Sequence, residues 1–162
     1  MKYFHTHISI LIVCIGLVSC AERPHRSDPD QLQFVVWDDI IILDMYINNR
    51  KAKFIVDTGA SISLIDTNQS AKYRYQYYAN DNKGQLTGFG GQENFVRTSV
   101  IELSSCEGVH YNNVKFYAAN LNHINKVLSS RNIQVLGILG ADFLNGHKVV
   151  INYHTRRLVI TR

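Results

Sequence analysis

Beyond residue 33 the chain alternates short apolar runs with polar turns. QFVVWDD (33–39), IIILDMYIN (40–48) and AKFIVD (52–57) are rich in β-branched and aromatic residues, the composition of pleated strands. Asn48-Asn49-Arg50-Lys51 separates the last two runs, so 39–57 reads as a hairpin that ends at Asp57. Further strands are expected in SISLID (61–66), QLTGF (85–89), NFVRTSVIEL (94–103), VKFYAANL (114–121), IQVLGIL (133–139), HKVVINY (147–153) and RRLVIT (156–161). Short helices are expected at NHINKVLSS (122–130), before Asn132, and at ADFLNG (141–146), where the glycine stops the helix. The stretch 66–84 reads mainly as loop. Many short strands and few helices predict an all-β, closed or sandwiched architecture.

The first part of the chain follows another rule. After Met1 and Lys2, ISILIVCIGLV (8–18) is a continuous apolar run, too short for a bilayer-spanning helix of about 20 residues and suited to a signal-peptide core. It ends in Leu17-Val18-Ser19-Cys20, which resembles the bacterial lipobox, in which the cysteine is acylated and becomes the mature N-terminus. Residues 1–19 are then a signal peptide, Cys20 the lipidation site, 20–32 a flexible tether and 33–162 the folded domain. The location implied is the bacterial cell envelope, lipid-anchored on the periplasmic face or at the outer membrane. With Cys14 in the signal and Cys20 lipidated, Cys106 is the remaining thiol, expected as a small packed residue. The formal charge of +4 is spread from Arg23 to Arg162, which favours solubility without naming an acidic partner.

Candidate chemistry begins at FIVDTGASISLID (54–66), where an apolar run ends in Asp57-Thr58-Gly59. Glycine lets such a turn close tightly and present N–H groups to the carboxylate. The tripeptide alone is equally a surface Asx turn. Its flanks, Phe54, Ile55 and Val56 before and Ile62, Leu64 and Ile65 after, put the carboxylate at the mouth of a core.

Together these residues resemble the retropepsin-like aspartic proteases. Ile55-Val56-Asp57-Thr58-Gly59-Ala60-Ser61 with Leu64-Ile65 matches the active-site turn of that family. ILGADFLNGHKVVINYHTRRLVI (138–160) matches its closing aliphatic-glycine-helix-hairpin segment, and LTGFGGQENFVR (86–97) lies where the family carries a glycine-rich flap. The resemblance implies a retropepsin-like acid protease barrel with a flap hairpin. It also implies an aspartic endopeptidase that hydrolyses peptide bonds through water activated between two Asp57 carboxylates. One chain supplies one Asp-Thr-Gly, so the resemblance implies a homodimer, with Thr58, Gly59 and Ala60 supporting the turn, the Thr58 hydroxyl bracing the opposite turn, and Asp142 structural. Gly88, Phe89, Gly90 and Gly91 are the flap candidates over a peptide or protein substrate, although an ordinary glycine-rich turn has the same composition.

The alternating aromatics of YRYQYY (73–78) can line a pocket, pack, or stack on single-stranded nucleic acid; packing leads, and no nucleic-acid partner is expected. His25, His110, His123, His147 and His154 show no metal-ligand spacing, so neither metal nor cofactor is expected. The rival function is a non-catalytic envelope lipoprotein that binds a peptide or protein in the same cleft.

Overall fold

The computed structural model describes residues 30–88, 91–98, 101–106, 108–111 and 114–160, with side chains outside 79–94. Cys20, the signal peptide and most of the expected tether lie outside these residues.

Among the described residues twelve strands and three short α-helices follow one another: β1 Asp30–Trp37, β2 Ile40–Ile47, β3 Arg50–Val56, β4 Leu64–Asp66, α1 Ser70–Tyr73, β5 Tyr77–Gly88, β6 Gly91–Thr98, β7 Leu103–Ser104, β8 His110–Tyr111, β9 Tyr117–Ala119, α2 Asn122–Leu128, β10 Gly137–Leu139, α3 Ala141–Gly146, β11 Val149–Asn152 and β12 Arg157–Ile160. The strands join in the order β11-β12-β1-β2-β3-β10-β4-β9-β6-β5, with β7 on β2 and β8 on β7. The path is open among the described residues, so the expected barrel is a strongly wrapped but unclosed sheet. β1 serves two ladders: Asp30–Gln33 pair with β12, and Phe34–Trp37 pair with β2. Asp30–Leu32, expected to be tether, belong to β1, with Asp30 and Leu32 paired to Ile160 and Leu158.

The first two hairpins turn on pairs of left-handed residues. Asp38 and Asp39 have φ 46° and 63°, and Asn48 and Asn49 have φ 47° and 61°. Such paired positive φ values match the twist of the flanking strands, and Asn and Asp tolerate them well. The second turn is thus tighter than expected, and Arg50 and Lys51 already belong to β3. SISLID shortens to β4, and the region expected as loop holds a 3₁₀ turn at Thr67–Gln69, α1 and the start of β5. Tyr73 and Tyr75 from the aromatic run are buried, so these two rings pack. Cys106 corrects the expectation made for it: it is exposed, with its thiol 3.4 Å from the Asp44 carbonyl oxygen. It sits on the edge where β7 is laid against β2, outside the core.

Two apolar clusters form on opposite faces of the sheet. The larger takes Ile41, Leu43, Met45, Phe54, Val56, Ile65 and Leu139 from the central strands and is closed by Phe116, Phe143 and Leu144. The smaller takes the alternate positions Ile42, Ile55, Ile138 and Leu64, covered by Leu121, Leu128 and Val135. Central strands packed on both faces read as continuous apolar runs, which accounts for Ile40–Leu43 and Phe54–Val56.

Candidate active site

Strands β3 and β4, which flank the Asp57 turn, do not pair with each other. β10 lies between them, parallel to β3 and antiparallel to β4. The chain leaving β3 must therefore cross the end of β10, and that crossing is the turn. Asp57 N–H donates to the carbonyl of Leu139, the last residue of β10, at 3.0 Å. Gly59 N–H donates to Asp57 Oδ1 at 2.8 Å, and Ala60 N–H to the Asp57 carbonyl at 3.3 Å. A Cβ at position 59 would stand 3.2 Å from that same Oδ1, tighter than ordinary contact, so glycine suits the donor's approach. Asp57 is half-buried, Thr58 and Gly59 are exposed, and Ala60 is half-buried.

The turn is fastened from behind by α3. Ala141 N–H donates to the Ala60 carbonyl at 2.7 Å. The Asp142 carboxylate accepts from Ser63 N–H at 3.0 Å, from the Ser63 hydroxyl at 2.6 Å and from Phe143 N–H at 2.7 Å. The Ser63 oxygen in turn accepts the Gly140 N–H at 3.0 Å. Hydrogen bonds to an ionised group are the stronger kind, and this one locks residues 60–63 to the helix start. Gly140 must be glycine, since a Cβ there would lie 2.6 Å from the Ile62 carbonyl oxygen and 2.8 Å from that of Ala60. Ser63 is a site residue that sequence reasoning missed.

The flap candidates lie on one hairpin. β5 ends at Gly88 and β6 begins at Gly91, and the two are paired; Phe89 and Gly90 lie outside the described residues. β6 reaches the sheet through β9, where Val96 faces Ala118 and Arg97 faces Tyr117.

Register places the surroundings of Asp57 in rows across the same face. Ile42 pairs with Ile55, Ile55 with Ile138, Ile138 with Leu64, and Leu64 with Tyr117. Side chains alternate along a strand, so Ile55 and Asp57 point to one face and this apolar row runs beside the carboxylate. One step further from Asp57, Asp44 pairs with Lys53. Lys53 Nζ is 2.7 Å from Asp44 Oδ1 and Lys51 Nζ 3.1 Å from Oδ2. Burial alone would raise the Asp44 carboxyl, but hydrogen bonds and charge from Lys53 and Lys51 outweigh it and hold the group below its ordinary value.

Asp66 ends β4 on that face and is 2% exposed. Its carboxylate accepts from Asn68 N–H at 3.2 Å and Asn68 Nδ2 at 2.9 Å, Gln69 Nε2 at 3.1 Å, Leu121 N–H at 3.3 Å and Asn125 Nδ2 at 3.3 Å. All are neutral donors. The Tyr75 hydroxyl donates to the Asp66 carbonyl, and burial, with the Asp66 charge adding, pushes the Tyr75 phenol above its usual range.

His147 packs on Phe143, rings stacked at 4.5 Å, with Nδ1 3.0 Å from the Phe143 carbonyl.

A family model described as "gag-polyprotein putative aspartyl protease" matches residues 43–146, well over half of the chain. Among curated proteins no relative matches. Solved structures that resemble the chain include the EIAV protease complexed with the inhibitor HBY-793, at 22% identity and TM-score 0.48, covering 69% of this chain and 93% of that one. A retropepsin-like aspartic protease from Rickettsia conorii is 19% identical at TM-score 0.49, with 81% and 89% covered. The retroviral protease-like domain of Ddi1 from Leishmania major is 17% identical at TM-score 0.48, also with 81% and 89% covered.

Proposed function

The chain belongs to the gag-polyprotein aspartyl protease family and has the mostly β, retropepsin-like fold, and on that premise we propose that it is an aspartic endopeptidase whose active site pairs Asp57 with Asp57 of a second copy. The observation that carries the reading is the half-buried Asp57 carboxylate, presented on a turn anchored to both β10 and α3 and receiving the Gly59 N–H. Such a mount fixes one carboxylate. Peptide hydrolysis by this chemistry needs two, one ionised to take a proton from water and one protonated to polarise the scissile carbonyl. A two-fold axis at the turn supplies the second from an identical surface. In this reading Thr58, exposed beside Asp57, braces the partner's turn, and Gly88, Phe89, Gly90 and Gly91 cover the substrate.

Mixing full-length wild type with Asp57→Asn at varying ratio and constant total concentration tests it. A mixed dimer has one carboxylate and one amide and is inactive, so an equal mixture retains about a quarter of full activity after complete subunit exchange. A linear dependence on the wild-type fraction refutes the shared site. Undiminished cleavage by Asp57→Asn alone refutes the Asp57 mechanism, whereas a wild type that cleaves no peptide refutes the endopeptidase reading and leaves the peptide-binding lipoprotein in its place.

The proposal extends to an envelope protein anchored through Cys20, motivated by the apolar run 8–18 and the Leu17-Val18-Ser19-Cys20 sequence. Cys20→Ala is expected to leave the membrane fraction with its fold intact; membrane association unaltered by that substitution overturns the anchor.

A further inference from the structure

Asp66 does more than close β4. Its Oδ2 is held by the side-chain amides of Gln69 and Asn125, at 3.1 and 3.3 Å, which leaves Oδ1 to face Asn68 and the Leu121 N–H. There three side-chain oxygens gather about one point. Asn68 Nδ2 lies 2.9 Å from Asp66 Oδ1, 3.2 Å from Asn120 Oδ1 and 3.2 Å from Asn122 Oδ1. The Asn120 oxygen is identified by the Asn122 N–H, which it accepts at 3.0 Å. Residues 68 and 120 are 52 positions apart, and the 3.3 Å bond from Leu121 N–H to Asp66 helps to hold their two segments together.

An amide nitrogen has two hydrogens, and here it faces three acceptors, so one of the three oxygens is always underserved. One of them belongs to a carboxylate that is 2% exposed and whose hydrogen-bond donors are all neutral. Buried carboxylates are usually paired with a charge or bound to a metal, and the point at which these oxygens converge has the electrostatics of a cation position filled by a neutral donor.

The oxygens select the class of cation. Among the described residues no three His, Cys, Asp or Glu side chains gather as a metal site; this cluster combines one carboxylate with amides, a donor set for a hard ion. Calcium takes 6–8 oxygens at about 2.3–2.6 Å in flexible geometry, whereas magnesium demands a near-ideal octahedron at about 2.0–2.1 Å. The oxygens therefore need to close by about half an ångström to reach calcium's range. Asn68, Asn120 and Asn122 are exposed, so their side chains have room to move and water completes the shell. Rotation about the broad terminal torsion of Asn68 exchanges its nitrogen for its oxygen and gives a fourth ligand. In sequence the four form two pairs, Asp66-Thr67-Asn68 and Asn120-Leu121-Asn122, each with the one-residue spacing of calcium-loop oxygens.

We propose that Asp66, Asn68, Asn120 and Asn122 form a calcium site that clasps the 3₁₀ turn after β4 to the connection between β9 and α2. A single charge among four protein ligands makes it weak, in the range of about 10⁻⁴–10⁻³ M that extracellular calcium modules occupy. That strength suits the envelope location proposed above, although the site depends neither on that location nor on the endopeptidase reading.

Full-length protein stripped with EDTA and kept at constant ionic strength is titrated with CaCl2 or MgCl2, with bound ion followed by equilibrium dialysis and unfolding by circular dichroism. Wild type is expected to take up one Ca2+ per chain and to unfold roughly 5 °C higher at ten times Kd, with a smaller rise in Mg2+. Asn120→Ala and Asn122→Ala, both at exposed positions, fold in EDTA and lower calcium affinity by about ten-fold or more. Asn68→Asp sets a second carboxylate beside Asp66, so it unfolds below wild type in EDTA, binds calcium more tightly and gains more from it. No uptake by wild type at about 10 mM, ten times the weak end of that range, overturns the site, and so does uptake that both alanine variants leave unchanged. Equal stabilisation by Mg2+ overturns the assignment to calcium. A deficit in Asn68→Asp that Ca2+ does not reverse leaves residue 68 a hydrogen-bond donor and removes it from the ligands; Asn122→Ala decides if Asn68→Asp does not fold.

Discussion

The two faces of the central sheet are built from the same strands, yet one is sealed along its length and the other changes character every second residue. On β2 and β3 the sealed face carries Ile41, Leu43, Met45 and Ile47 opposite Ala52, Phe54 and Val56, all buried. The other face reads, from the Asp57 end, Ile55 with Ile42, then Lys53 with Asp44, then Lys51 with Tyr46. Its apolar row is one residue pair wide, with the candidate catalytic carboxylate on one side and an ion pair on the other. The first face supplies most of the burial that stabilises the domain. The second gives up part of that burial to set a carboxylate beside an apolar row.

Neighbouring residues on the two faces are therefore expected to respond differently. Phe54 is fully buried and packs on Phe116 with ring centroids 5.8 Å apart. Phe54→Ala is expected to cost about 3–5 kcal/mol, a large share of the roughly 5–15 kcal/mol available to a domain of this size. Ile55→Ala, one residue on, is expected to cost about 2 kcal/mol, at the low end for its class because the half-open cluster can relax, and to lower kcat/KM out of proportion to that loss. Urea unfolding and peptide kinetics on the two variants check the contrast; equal stability losses with equal activity losses break it.

Much of this division was readable in the sequence, but not all of it. The apolar runs at 40–48 and 52–57 were readable as strands and Asn48-Asn49-Arg50-Lys51 as the region of their turn, while their burial on both faces came only with the fold. Ala141–Gly146 was readable as a helix from its closing glycine. Helix α1 was not, because four residues show no period and its left-handed C-cap is Arg74, φ 58°, where glycine would have signalled a stop. Ser63 and Asp142 are 79 positions apart, and neither residue announces a partner. Asp66 resembled Asp57 in sequence, a carboxylate closing an apolar run. The difference, neutral donors from the 3₁₀ turn and from the start of α2 against one N–H from its own turn, exists only after folding.

The fastening behind the turn links the two faces and gives the next largest effect. Ser63→Ala removes the 2.6 Å bond to Asp142 and the acceptor for Gly140 N–H. A hydrogen bond to a charged group contributes about 1.5–3 kcal/mol, and the exposure of Asp142 puts this one at the low end, so thermal unfolding shifts down accordingly, and activity falls further because residues 60–63 loosen. Ser63→Thr keeps the hydroxyl and is expected to restore both. If Ser63→Ala loses stability while keeping full activity, α3 supports the fold without positioning the turn.

The smallest effect is expected at the far border of the mixed face. Asp44 is held below its ordinary value by Lys53 and Lys51 against the opposing pull of burial, while Lys51 is raised by the same contact. A carboxyl lowered on folding adds stability that is present above its unfolded value, about 3.9, and is lost as pH falls through the lower folded value. Its side chain is 30% exposed and that of Lys53 41%, so solvent screens the pair and its contribution is under about 1 kcal/mol. Asp44→Asn should therefore unfold slightly more easily than wild type at pH 6, with the gap closing on acidification below about pH 4 and also shrinking in 1 M salt, where the Debye length is about 3 Å. Cleavage should be unaffected, since the Ile42–Ile55 row separates Asp44 from Asp57 on β2 and β3. A gap that stayed constant from pH 6 to pH 2 would show that Asp44 stabilises by packing and not by charge, and the ionic border of the apolar row would then have no energetic role.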